Sequence, residues 1–156
     1  MDSKAKNYLE RYLATLPQNV REQYRQFDAY HFCADKENAD ICAELVVKGE
    51  KKATAGLVWS YEAEAEPLPE ICKLTVITDW NKTPQCIIET TAVEIKSFKD
   101  VDSAFALEEG EGDKTLDSWR SEHWKFFSAE CEELNKEPSE EMPVVLERFK
   151  VVYLGV

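Results

Sequence analysis

The sequence predicts an α+β domain with a mixed β-sheet, and three observations support this fold class. The chain has 156 residues, of which 44% are hydrophobic, enough for one domain with a sizeable core. Apolar positions before Gly49 recur at helical spacing, whereas β-branched residues and alternation dominate after it. A long amphipathic helix and a last strand follow. This order is typical of α+β domains, and such a sheet could curl into a small barrel.

Two helices and a strand are predicted in the first thirty-odd residues. Ser3 is expected to cap the first helix, which ends before Pro17. A second, short helix is predicted near Asn19, and the segment AYHFC predicts a short strand.

The segment NADICAELVVKG predicts the third helix. Asn38 or Asp40 is expected to be its cap. Ile41 and Leu45 are expected to face inward, and Cys42 and Val46 are further candidates for the inner face. Gly49 suits the left-handed position that closes a helix.

The segments after Gly49 predict strands. KATAGLVWS is small and then apolar, and ICKLTVITDW alternates at Ile71, Leu74 and Val76 before a turn at residues 79–83. QCIIETTAVEIKSF is rich in β-branched residues and predicts a long strand or a bent pair.

The last third of the chain predicts two helices and a strand. DVDSAFALEEGEGD predicts a short helix that runs into a glycine-rich loop, and Thr115 is expected to cap the longest helix. VVLERFKVVYL predicts the closing strand. The apolar stripe of the longest helix is Leu116, Trp119, His123, Phe127, Cys131 and Leu134.

Composition and charge exclude several classes of protein. The net charge is −12, with nine basic and nine acidic residues up to Lys52 but ten basic and twenty-two acidic residues after it. A protein that grips long duplex nucleic acid usually has a broad basic face, so that partner is not expected. No apolar run reaches the length of a membrane span, and the N-terminus lacks the apolar core of a secretory signal. We therefore expect a cytoplasmic protein with no membrane partner.

The cysteines predict neither a disulfide framework nor a metal site. They are odd in number and contain no CxxC pair, and neither histidine has a close cysteine or second histidine. We expect reduced, mostly buried cysteines and no metal or cofactor. The five cysteines are Cys33, Cys42, Cys72, Cys86 and Cys131.

Lys51 and Thr54 could form a nucleophilic pair. A desolvated lysine beside a hydroxyl can act as its base. Residues three apart on a regular strand point to opposite faces, so the two side chains converge only if the chain turns or bulges between them. Taken alone, the pattern favours solvated lysines and an ordinary strand threonine.

The segment LEEGEGDK holds four acidic residues that could supply a catalytic acid. Taken alone, a solvated acidic loop is the better interpretation, and the spacing is not that of an EF-hand. The four are Glu108, Glu109, Glu111 and Asp113.

Aromatic residues offer two further candidate sites. Trp59 and Tyr61 would share a strand face and could stack on a base, and Trp80 could join them. Core packing or a position at the barrel rim is equally compatible. On the long helix, the stripe that contains His123 is expected to be core, with a half-buried histidine. Arg120 and Ser128 lie beside that stripe.

The segment GEKKAT resembles the G-x-K-x-x-T motif of ASCH domains, a family of the PUA-like superfamily. The resemblance runs from about His31 to Tyr153, through KKATAGLVWSYEAEAEPLP, TDWNKTPQCIIETTAVEI, FALEEGEGDKTLDSWRSEHWKFFSAEC and ERFKVVY. It implies a PUA-like small β-barrel flanked by helices. Residues 1–28 would be an N-terminal helical extension and residues 29–156 the ASCH domain.

The resemblance also implies chemistry on nucleosides or RNA. Some small ASCH proteins are amidohydrolases that remove the acetyl group of N(4)-acetylcytidine, and others are described as ribonucleases or RNA-binding modules. Their lysine and threonine match Lys51 and Thr54, and their A-x-x-E glutamate matches Glu109, with Glu111 left open by the longer loop. The arginine two residues beyond the threonine is Gly56 here.

The resulting hypothesis is hydrolysis of an amide on a modified nucleoside. An RNA-binding or RNA-cleaving module and a non-catalytic nucleotide-binding domain are the alternatives. The expected partner is a small nucleoside-like ligand or a short single-stranded RNA. The predicted catalytic residues are Lys51, Thr54 and Glu109, and the predicted ligand-binding residues are Trp59, Tyr61, Glu111, Arg120, His123 and Ser128.

Overall fold

A computed structural model describes residues 1–155 and shows one five-stranded mixed sheet with six α-helices. The predicted α+β class is confirmed. The helices are α1 (Ser3–Ala14), α2 (Gln18–Arg21), α3 (Lys36–Val47), α4 (Val58–Ala63), α5 (Ser103–Glu109) and α6 (Leu116–Glu133). The strands are β1 (Phe27–Tyr30), β2 (Ala53–Leu57), β3 (Leu74–Thr78), β4 (Pro84–Ser97) and β5 (Pro143–Tyr153).

The sheet order is β1-β3-β4-β5-β2, so β1 and β2 are the outer strands. β1 runs parallel to β3, while β3 with β4 and β2 with β5 are antiparallel. Thr54 pairs with Glu147 and Gly56 with Val145 in the β2–β5 ladder. Directly opposite residues project from the same face of a sheet, and so do residues two apart on one strand. These four positions therefore lie on one face.

The chain divides into two compact units, and the first comprises residues 1–50, residues 70–92 and the chain from Phe149 onward. One cluster of apolar residues in this unit joins α1 to β3, and a second joins α3 to β3 and β4. The helical stripe predicted for α1 is confirmed at Tyr8, Leu9 and Tyr12, which are buried.

The second unit comprises residues 51–69 and 93–148. Its core gathers β2, α5, α6 and part of β5 around buried aromatic rings. Phe127 is fully buried, and Phe105 and Trp119 pack edge to face with ring centroids 6.2 Å apart. This unit contains all nine predicted site residues.

Several local predictions are confirmed because they rest on backbone rules. Gly49 has φ +78°, Thr115 caps α6 by accepting from Ser118 N, and Asp79 closes the turn to Thr83. Only glycine adopts such a positive φ without steric cost.

Two helix caps were predicted wrongly. Asp2, not Ser3, accepts the hydrogen bond from Ala5 N at the start of α1. Asp35 caps α3, so that helix begins before Asn38 and Asp40. In both cases the acidic side chain lies one or more residues ahead of the predicted cap, and the helix extends back to it.

The inward faces of two elements also differ from the prediction. Ile41 is 45% exposed and Ile71 is 64% exposed. In α3 the predicted inner positions Cys42 and Val46 are buried, whereas Ile41 is not, and β3 begins only at Leu74. Every residue of β3 is buried, as in a strand covered on both faces.

Three further differences concern strand limits and cysteines. The first strand is β1, which ends at Tyr30, so the segment AYHFC is mostly outside it. β2 ends at Leu57 and the chain turns directly into helix α4. Cys33 and Cys72 are exposed, whereas the other three cysteines are buried as predicted.

Within residues 1–155, no helix combines the length and apolar character that crossing a lipid bilayer requires.

Candidate functional site

Lys51 is buried immediately before β2, although the residues on either side of it, Glu50 and Lys52, are exposed. The residue is 1% exposed, whereas Lys52 is exposed. Its Nζ atom donates to the carbonyl of Ala53 at 2.9 Å and to the carbonyl of Glu109 at 3.4 Å. The backbone N–H of Lys52 donates to the carbonyl of Glu108 at 2.7 Å, which fixes this segment against α5.

The two ends of helix α5 fix the position of Glu109 beside Lys51. Asp102 caps the helix by accepting from Phe105 N at 2.9 Å, and buried Phe105 anchors it in the core. Gly110 adopts φ +70° and ends the helix directly after Glu109.

The carboxylate of Glu109 is 3% exposed and has three cationic or polar neighbours. Lys51 Nζ lies 3.6 Å from Oε1, His123 Nε2 lies 3.1 Å from Oε1, and Trp119 Nε1 donates to Oε2. A buried carboxylate is stable only when it is paired and hydrogen-bonded. Burial alone raises the pKa of Glu109, but Lys51, His123 and the hydrogen bonds outweigh it and lower the pKa to about 2.

His123 faces an acceptor with each of its ring nitrogens. Nδ1 lies 2.9 Å from the carbonyl oxygen of Trp119, and Nε2 lies 3.1 Å from the Glu109 carboxylate. Both partners are acceptors, so this arrangement favours the imidazolium form, in which both ring nitrogens donate. Burial lowers the pKa of His123, but Glu109 and the Trp119 carbonyl raise it above its usual value. The ring also stacks on Trp119, with centroids 4.1 Å apart and an interplanar angle of 14°.

Glu111 lies on the solvent side of this group. Its carboxylate is 3.4 Å from Lys51 Nζ, and its side chain is 31% exposed. Gly110 and Gly112 flank it, and both have positive φ. We call Lys51, Glu109, Glu111 and His123 the charge cluster.

Three members of the charge cluster could in principle ligate a metal ion. Ligand atoms of Glu109, Glu111 and His123 lie within 4.8 Å of one another. The Lys51 ammonium is already within 3.6 Å of both carboxylates and supplies the positive charge that a cation would bring. That these residues bind no metal ion stays a prediction from the sequence.

Thr54 is not joined to the charge cluster by a hydrogen bond among the residues that the structure describes. It lies on β2 opposite Glu147, on the sheet face that also carries Gly56. Ala53, Ala55 and Leu57 point to the other face, toward the core. The strand alternation thus separates Thr54 from the apolar face, as the sequence rule anticipates.

Glu147 is a buried acid that the sequence interpretation missed. It is 3% exposed and faces Thr54 across the β2–β5 ladder. The signal was present in the closing strand, where Glu147 directly follows the apolar run VVL. Such a residue is rarely buried without a partner or a function.

The aromatic pair Trp59 and Tyr61 lies on helix α4, so the predicted shared strand face is wrong. Trp59 packs against the core, and Lys136 Nζ lies 5.0 Å from the centroid of its ring. Tyr61 packs closely against Gly56. A Cβ atom built on Gly56 would be 3.1 Å from Tyr61 Cε2. Gly56 and Thr54 lie on the same face of β2, so Tyr61 is on the side of Thr54, whereas Trp59 packs against the apolar core.

Arg120 and Ser128 lie on α6 outside the charge cluster. Arg120 Nη2 donates to the carbonyl of Lys99 at 3.2 Å. Among the described residues, Arg120 Nε and Ser128 Oγ are buried atoms without a hydrogen-bond partner. Their role in ligand binding stays a prediction.

A protein-family profile for the ASCH domain matches residues 28–153, most of the chain. This chain belongs to the ASCH domain family. It is 44% identical to the ASCH domain of Lactobacillus crispatus JV V101 over 98% of this chain and 96% of that one, with a TM-score of 0.94. It is 30% identical to a protein of Enterococcus faecalis V583 over 100% of this chain and 92% of that one, with a TM-score of 0.86. No match was found among curated proteins. These similarities confirm the family and fold predicted from GEKKAT and the segments after it.

Proposed function

We propose that this ASCH domain hydrolyses an amide on a modified nucleoside of the N(4)-acetylcytidine type. The observation that supports it is the buried contact between Lys51 and Glu109, with Nζ and Oε1 3.6 Å apart. Folding places a desolvated ammonium and a paired carboxylate at the G-x-K-x-x-T motif. Perturbed, buried ionisable groups of this kind concentrate at functional sites.

Lys51 suits the stabilisation of an oxyanion. Its ammonium is held by the Ala53 carbonyl and two carboxylates, so little reorganisation is needed when negative charge develops near it. In the proposed reaction the Thr54 hydroxyl attacks the acyl carbon, and the carbonyl oxygen becomes the oxyanion that Lys51 faces.

Glu109 would act first as a base in this reaction. Its low pKa means that it is ionised at neutral pH and cannot give a proton in the resting protein. It therefore takes the proton that Thr54 loses and passes it to the leaving amine, which departs as the C–N bond breaks. Water then attacks the acyl-threonine, releases the carboxylic acid and restores the Thr54 hydroxyl.

A non-catalytic nucleoside-binding domain is the second candidate, and one observation favours it. No hydrogen bond joins Thr54 to Lys51 or Glu109 within residues 1–155, so the nucleophile is not visibly activated. The charge cluster would then recognise the exocyclic groups of a base through Glu111 and His123, its more exposed members. An RNA partner would instead use exposed lysines, of which Lys48 is already paired with Glu44 at 2.8 Å.

Turnover of N-acylated cytidines tests the proposal. Wild-type protein, Lys51→Met and Thr54→Val are incubated with N(4)-acetylcytidine and longer N-acyl cytidines, and cytidine is measured by chromatography. Lys52→Met is the matched control, because it removes the adjacent but exposed lysine. Product from wild type and Lys52→Met but not from the other two would support the hydrolase. Binding of the nucleosides without product from wild type would favour the non-catalytic domain.

A further inference from the structure

Two cysteine thiols are in contact in the unit that contains residues 1–50. The sulfur atoms of Cys33 and Cys42 are 3.7 Å apart, and both residues are in the thiol form. A disulfide bond is about 2.05 Å long, so a shift of less than two ångströms in sulfur positions would close it. Neither thiol belongs to the charge cluster.

The two thiols differ in their access to solvent. Cys33 is exposed, on the bend between β1 and α3, whereas Cys42 is 4% exposed on the inner face of α3. An external reagent can therefore reach Cys33 first, and the Cys42 sulfur lies next to the Cys33 sulfur. Exposure of one sulfur beside a protected second sulfur is the arrangement that favours an attacking and a resolving cysteine.

The backbone holds Cys33 toward Cys42 at an energetic cost. Cys33 has φ +63°, a conformation that side chains other than glycine rarely adopt. The preceding residue, Phe32, is buried in the same apolar cluster as Cys42. Asp35 caps α3 just after the bend. These contacts fix both ends of the segment that carries Cys33, so the two sulfurs meet in a defined geometry.

We propose that Cys33 and Cys42 form a thiol-oxidation site that closes to a reversible intramolecular disulfide on reaction with a small-molecule disulfide. The Cys33 thiolate attacks one sulfur of the reagent, forms a mixed disulfide and releases one reagent thiol. Cys42 then attacks the Cys33 sulfur and releases the second reagent thiol. Two electrons pass from the two protein thiols to the reagent disulfide, and the two protons they lose appear on the two released thiols.

The experiment uses the Cys72→Ser variant, because Cys72 is also exposed and would collect a mixed disulfide. The reduced variant is exposed to oxidised glutathione in its native state, quenched in acid and weighed by mass spectrometry. The expected product is about 2 Da lighter. Trypsin should then release residues 26–36 linked to residues 37–48, and dithiothreitol should restore the original mass.

Cys33→Ser combined with Cys72→Ser is the matched control. It leaves only buried cysteines, so it should neither lose 2 Da nor gain glutathione. Three results would overturn the proposal: glutathione that stays on Cys33, a native protein that does not react, or the same 2 Da loss in the control.

Discussion

Replacing Lys51 by methionine should destabilise the protein far more than the same change at Lys52. Lys51 is 1% exposed and is the largest favourable electrostatic influence on Glu109, which is itself 2% exposed. Methionine keeps most of the side-chain volume but leaves the Glu109 carboxylate with only His123 and Trp119. Removing one partner of a buried ion pair typically costs about 3–5 kcal/mol.

The pKa of Glu109 gives an independent magnitude. Its fall from 4.5 to about 2 is equivalent to about 3 kcal/mol of stabilisation at neutral pH. Because the folded pKa is depressed, this stabilisation is present above pH 4.5 and is lost as the pH falls toward 2. This value agrees with the lower end of the range for a broken buried ion pair, so we expect Lys51→Met to lose about 3 kcal/mol. For a domain of this size, that loss lowers Tm by roughly 6–12 °C.

The assay is thermal and urea unfolding of wild type, Lys51→Met, Lys52→Met and the double variant Lys51→Met/Glu109→Gln. Lys52→Met should stay within about 0.5 kcal/mol of wild type because its side chain is exposed. The double variant removes the stranded charge and should recover about 1 kcal/mol relative to Lys51→Met. If Lys51→Met and Lys52→Met unfold at the same temperature and urea concentration, the view that Lys51 and Glu109 form a buried, coupled pair is refuted.

Three further predictions concern the histidine, the core and the cap of α5. The pKa of His123 is raised, so its contribution to stability is present below pH 6.5 and is lost as the pH rises through the folded value. Urea unfolding at several pH values should show that loss in wild type and not in His123→Gln. Phe127→Ala should cost about 3–5 kcal/mol because Phe127 is fully buried, whereas Phe126→Ala, 48% exposed, should cost less than about 0.5 kcal/mol in the same assay. Asp102→Ala removes the cap that positions Glu109 and should cost about 1 kcal/mol, with Asp102→Asn restoring most of it; equal stability of the two variants would contradict the capping role.

The sequence alone determined the fold class, most element positions and the family. Helical spacing, strand alternation and glycine positions are local properties of the chain, so α1, β4 and α6 could be predicted from them. The motif GEKKAT, followed by the other segments in order, was specific enough to indicate the ASCH domain.

Trp59 and Tyr61 show where local reasoning failed. The segment KATAGLVWS has apolar residues suited to a strand, but the chain leaves the sheet after Leu57 and forms α4. The length of β2 is set by its antiparallel partner β5, with which it pairs only from Ala53 to Leu57. A strand without a partner to continue its hydrogen bonds ends, whatever the β-propensity of its residues.

Only the tertiary structure decided which charged residues form the site. From the sequence, Lys51 could be one of three solvated lysines, Glu109 one of four loop acids, and His123 a core histidine. Their pairing depends on α5 and α6 packing beside the start of β2, across separations of 58 and 14 residues in the chain. The energy of a charge in a protein depends on its burial and its neighbours in space, and neither is a property of the local sequence.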